Sequence, residues 1–147
     1  MYDTGTVKPP FPQYFETFPS AVLRGGYVWT TRRRAHAKGR EMSDDVELAV
    51  LTAVFDARGG AEEQLAGALA RYVVLARSED GCRNVDLVIS TTHSGRFTVI
   101  AKWDSPEAAR AHLDGPAMAD MAREAVPLLA ARPDIDLHDA ISAHDLT

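Results

Sequence analysis

His112 stands nine residues beyond Trp103, with the helix-start signal Ser105-Pro106-Glu107 between them. Imidazoles exchange protons near neutral pH, so a histidine held near a ligand can act as a general base or as an orienting donor. An indole at a strand end supplies an apolar wall and a single N–H donor. His112 and Trp103 are therefore the catalytic candidates: a proton acceptor beside a donor for a developing anion. Tyr72 offers a phenolic hydroxyl from a helix face. Thr52 offers a hydroxyl inside an apolar strand, read either as pointing into a ligand cleft or as an ordinary strand threonine. Asn84 and Asp86, which strand alternation puts on one face, have groups able to orient a ligand oxygen. Phe97 and Met121 join them as substrate-binding candidates. Each has a structural alternative: Trp103 as core, Tyr72 as packing, Asn84 and Asp86 as solvated positions, His112 as a histidine bonded to a backbone carbonyl.

No metal site is expected. His93, His138 and His144 make no ligand spacing with one another, and the single Cys82 can form neither an internal disulfide nor a thiolate zinc site. No glycine-rich phosphate loop follows a strand, and Asp56-Ala-Arg-Gly-Gly60 is a turn, so a nucleotide cofactor has no visible seat.

The bulk properties narrow the class. The chain has 147 residues, 46% of them hydrophobic and 25% charged, which suits one soluble domain with its own core. Its net charge of −5 is uneven. Residues 1–41 carry seven Lys/Arg against three acids, and the remainder carries nine against eighteen. An acidic body of this kind does not suit nucleic acid, which needs clustered cations. The basic run Arg32–Arg40 reads as a solvated linker. No apolar run is long enough to span a membrane, and a reduced, cytoplasmic setting is expected.

Residues 1–41 have no periodicity. Their prolines, aromatics and Gly25-Gly26 read as an irregular basic extension, with a short strand through Tyr27, Val28 and Trp29, and aromatics able to dock on the body. Met42 followed by Ser-Asp-Asp reads equally as a natural start, in which case the extension lies outside the functional domain of residues 42–147.

From Val46 the pattern sharpens. Glu47–Phe55 is almost continuously apolar and β-rich, as in a covered strand. Ala61–Ser78 repeats apolar residues at helical steps, and Gly81 suits a left-handed cap. Asn84–Thr91 and Arg96–Trp103 form a hairpin across Thr92-His-Ser-Gly95. A helix from Ser105 breaks at Gly115-Pro116, a second piece covers Ala117–Ala130, and Ile135–Ile141 is a last strand. The order β-α-β-β-α-β predicts an α+β ferredoxin-like fold, with an antiparallel four-stranded sheet and the helices on one face. The bare face needs cover, which predicts a homodimer.

Two segments carry a resemblance. Glu79-Asp-Gly81-Cys82 is similar to the E-x-G-C/N turn of the antibiotic biosynthesis monooxygenase family. The stretch from Phe97 through Trp103 to His112 resembles that family's hallmark segment. The resemblance covers about residues 46–143 and implies a dimeric α/β barrel with a cleft between sheet and helices. It further implies an oxygenase that uses neither metal nor flavin. The bound aromatic phenolate or carbanion itself passes an electron to dioxygen, while the protein deprotonates it and holds it in a dry pocket. The expected partners are a second copy, a small aromatic or quinonoid compound and dioxygen.

Departures matter too. Ala101 stands where many members carry glutamate, and Val85 where many carry tyrosine. Haem-degrading relatives resemble one another in residues that Thr52, His112 and Met121 do not match, so haem breakdown is not expected. The alternative to an oxygenase is a non-catalytic, dimeric ligand-binding or regulatory barrel.

Overall fold

The computed structural model describes residues 48–142. The expectations for Tyr27–Trp29, for Arg32–Arg40, for Met42, for His144 and for the docking of the N-terminal aromatics lie outside the described residues.

Four strands and three helices follow in the order β1 (Ala49–Asp56), α1 (Glu62–Arg77), β2 (Cys82–Ile89), β3 (Arg96–Trp103), α2 (Pro106–Leu113), α3 (Pro116–Ala125) and β4 (Asp134–Asp139). The sheet runs β2-β3-β1-β4 with every pairing antiparallel, the ferredoxin-like arrangement. The central pair is regular over its whole length, from Ala49 opposite Trp103 to Asp56 opposite Arg96. Arg96 Nε and Nη2 clamp Asp56 at 2.7 and 3.0 Å and tie down that end.

Alternation divides the sheet into two faces. Leu51, Phe55, Val85, Val99 and Trp103 are fully buried and meet the helices. The opposite face presents Val50, Thr52, Val54 and Ile100, edged by Asp86 and His138, all of them intermediate or exposed. The near-continuous apolar run of β1 reads as a strand covered on both faces. Within one protomer only the helix-facing half is covered.

Several boundaries differ from the sequence pattern: β2 runs Cys82–Ile89 rather than Asn84–Thr91, and the last helix and last strand both stop early. The helical piece expected over Ala117–Ala130 ends at Ala125 and closes as a 3-10 turn, Val126–Leu128. Pro127 causes this, since it has no N–H to donate and its ring collides with the carbonyl of the preceding turn. The last strand ends at Asp139 rather than Ile141, whose side chain is fully exposed. No helix among the described residues is long and apolar enough to cross a membrane.

Candidate active site

Each functional side chain is placed by a local rule. Trp103 closes β3, opposite Ala49 on one side and Cys82 on the other, and is wholly buried. Ser105 then caps α2, its Oγ accepting from Ala108 N at 3.1 Å, with Pro106 in the first turn. Cap and proline fix the phase of the helix, so Ala109, His112 and Leu113 share its inner face. Tyr72 lies on the buried stripe of α1 with Leu65, Leu69, Val73 and Ala76. Glu79 follows the end of α1 in a tight turn whose Gly81 has φ +79°. A Cβ at Gly81 would come 2.8 Å from that of Ala108, so only glycine lets this turn lie against α2.

These elements bring four side chains together. His112 is 1% exposed, yet both ring nitrogens have partners. Nδ1 lies 2.8 Å from Glu79 Oε2, and Nε2 lies 2.6 Å from the Tyr72 hydroxyl. An ionised carboxylate only accepts, so the ring proton belongs on Nδ1, and Nε2 accepts from the Tyr72 O–H. Trp103 stacks on the imidazole with ring centroids 4.5 Å apart, and Tyr72 lies tilted at 5.6 Å. Burial pushes the Tyr72 phenol well above its ordinary range, and the nearby Glu79 charge adds to that. The Cys82 thiol is raised for the same two reasons, in the same order.

One buried polar atom among the described side chains lacks a partner, the indole Nε1 of Trp103. A buried donor without an acceptor costs about 1–3 kcal/mol. It also stands ready for an acceptor supplied by a ligand.

Five of the sequence candidates are buried between sheet and helices: Trp103, Tyr72, Phe97 and Met121 belong to the apolar core, and His112 is the buried polar residue among them. The other three are not. Thr52, a candidate to point into a ligand cleft, lies instead on the opposite face of the sheet, where its hydroxyl meets His138 Nε2 at 2.8 Å. The reason is parity: Leu51 and Ala53 take the inward positions. Asn84 and Asp86 do share a face, as expected, but it is the same outward one. They are exposed and bond each other, Asn84 Nδ2 donating to Asp86 Oδ2 at 2.7 Å. Ala101 and Val85, which replace two polar family positions, are buried apolar residues of the core.

The residue that sequence reasoning missed is Glu79. It was legible as part of a turn motif, but a contact across 33 positions leaves no local period. Glu79 also opens onto an outer groove of about 440 Å³, lined with Ser78, Asp80, Ala108, Ala111, His112 and Gly115. A second groove, of about 530 Å³, lies between α1 and α3 around Arg71 and Glu124. Neither is the cleft between sheet and helices that the resemblance implies, because that space is filled by core side chains such as Met118 and Met121.

Comparison with known proteins agrees with this fold. The family model for antibiotic biosynthesis monooxygenase matches residues 49–124, just over half the chain. Rv0793 of Mycobacterium tuberculosis superposes with a TM-score of 0.62 at 22% identity, covering 67% of this chain and 99% of its own. The NE2512 protein of Nitrosomonas europaea, of unknown function, gives 0.62 at 24% identity over 69% of this chain and 97% of its own. The SO0527 protein of Shewanella oneidensis gives 0.60 at 24% identity over 65% and 93%. These likenesses establish a common fold. No curated protein matches.

Proposed function

We propose that this chain, which belongs to the antibiotic biosynthesis monooxygenase family, is an oxygenase acting on a small aromatic or quinonoid compound without a cofactor. The observation that carries the proposal is the buried hydrogen-bonded chain from Tyr72 through His112 to Glu79, beside an indole N–H with no partner. Such a chain can accept a substrate proton. The Tyr72 hydroxyl gives its proton to Nε2 as it takes one from the substrate hydroxyl. Because burial disfavours the free phenolate, Tyr72 passes the proton on in one concerted movement and does not act as a standing base. The Trp103 N–H then faces the anion left behind, and the electron-rich ring supplies the electrons that dioxygen takes up. Room for the ring comes from displacing core side chains, of which unbranched Met118 and Met121 yield most readily.

The test is oxygen uptake by the purified full chain with a panel of anthrones and quinols. Turnover above the buffer rate, lost in His112→Ala, is the expected result. Equal rates with and without protein across the panel would sink the proposal.

One observation favours the second reading, a non-catalytic binding barrel: the space between sheet and helices is filled, and Ala101 and Val85 contribute no polar group to it. On that reading aromatic ligands raise the melting temperature and nothing is turned over.

We further propose that two copies pair through the bare sheet face. Val50, Val54 and Ile100 give it an apolar centre that a second copy would cover. Sedimentation equilibrium should give twice the 16.0 kDa chain mass, and Ile100→Asp should restore the single mass. A wild-type chain that sediments at 16.0 kDa would exclude the dimer.

A further inference from the structure

Glu79 is oddly placed for a residue that serves only the helix before it. It follows the C-terminus of α1, where the helix dipole disfavours an acid and where Arg77 is the favourable charge. Its carboxylate instead crosses to α2 and accepts from a ring nitrogen that a backbone carbonyl would have satisfied as well. The Glu79 side chain is 28% exposed and that of His112 is 0%, so Glu79 joins a buried imidazole to the groove water. Two backbone bonds hold the turn: Cys82 N donates to Glu79 O, and Asp104 N donates to Gly81 O at 2.8 Å. The second of these links the Glu79 turn to the residue after Trp103.

We infer that Glu79 is a positioning residue for the reaction: its carboxylate, bonded to His112 Nδ1 and open to the groove, fixes the ring tautomer and leads the abstracted proton to water. The inference rests on the oxygenase reading above. With the Nδ1 proton committed to Glu79, Nε2 keeps its lone pair toward Tyr72. Without that commitment the ring can carry its proton on Nε2, and Tyr72 then has to accept where it should donate. The transfer balances. The substrate O–H bond breaks, and its proton joins the Tyr72 oxygen. The Tyr72 proton passes to Nε2, the Nδ1 proton to Oε2, and Oε2 releases a proton to groove water, which leaves the ring in its Nε2–H form. The Nδ1–H form returns when the relay runs back: Oε2 takes a proton from groove water and passes it to Nδ1, while Nε2 gives its proton through Tyr72 to the reduced oxygen. On the outward pass one proton crosses from substrate to solvent, and no electron moves in these proton steps.

The experiment compares the full wild-type chain with Glu79→Gln and Glu79→Leu. Histidine tautomers are read by nitrogen NMR on ¹⁵N-histidine protein, and kcat and KM are measured on whichever panel compound is turned over. Wild type should show His112 protonated on Nδ1 alone, and both variants a mixture of tautomers. In Glu79→Gln, kcat should fall roughly 10²-fold with KM within about twofold. A purely structural Glu79 would leave the tautomer fixed in Glu79→Gln, and that result overturns the inference whatever the activity. A mixed tautomer with unchanged kcat overturns it as well. The tautomer is read without substrate, so failure of this inference and failure of the oxygenase reading give different results. If Glu79→Leu does not fold, the isosteric Glu79→Gln still decides.

Discussion

His112→Ala should lower the stability of the domain by about 3–5 kcal/mol and remove turnover altogether. The stability loss has two parts. The hydroxyl of Tyr72, a residue only 2% exposed, loses its acceptor, at about 1–3 kcal/mol. The missing ring leaves a cavity against Trp103, with which it is now stacked at 4.5 Å. Glu79 adds less, since its partly exposed carboxylate can turn to water. A double variant makes the argument sharper. His112→Leu with Tyr72→Phe removes both ends of one hydrogen bond and refills the space, so it should recover much of the lost stability and none of the turnover. Guanidinium denaturation of the two proteins measures this. A loss under about 1 kcal/mol in His112→Ala would mean that the buried network adds little to the fold.

Trp103→Phe should separate stability from chemistry in the opposite direction. The substitution removes an N–H that is buried and unpartnered, which relieves a cost of about 1–3 kcal/mol, and gives up part of a large buried ring. The two effects oppose each other, and the net change should stay within about 2 kcal/mol. Turnover should nevertheless fall about 10²-fold, the usual size when one donor to a developing anion is lost. Denaturation midpoints paired with steady-state oxygen uptake decide it. A Trp103→Phe protein as active as wild type would show that the indole only fills space.

Much of the fold was legible because it depends on local patterns. Strands and helices followed from periods of two and three to four, the hairpin from Gly95, and the start of α2 from Ser105 and Pro106. The end of α3 was overrun. The apolar pattern continues through Val126 and Leu128, whereas the backbone obeys Pro127. Three of the four side chains of the candidate site are legible as well: His112, Trp103 and Tyr72 stand out by residue type, and the fold brings them together. The side that Thr52 faces is not legible, because a strand of nearly unbroken apolar residues gives no sign of its own parity. Only the pairing with β3 and β4 settles which alternate residues face inward.

The sequence alone determined the order of elements, the family and the presence of an indole just before one helix and an imidazole in that helix's last turn. Those are properties of residue type and short spacing, written along the chain. The tertiary structure decided that Glu79 and Tyr72, 33 and 40 positions from His112, occupy its two ring nitrogens. It decided too that the indole N–H is left without a partner and that Asn84, Asp86 and Thr52 face the other way. Such contacts arise only when α2 is laid across the end of α1 and the sheet, and the close approach of Gly81 to Ala108 allows that placement. No period along the chain encodes it.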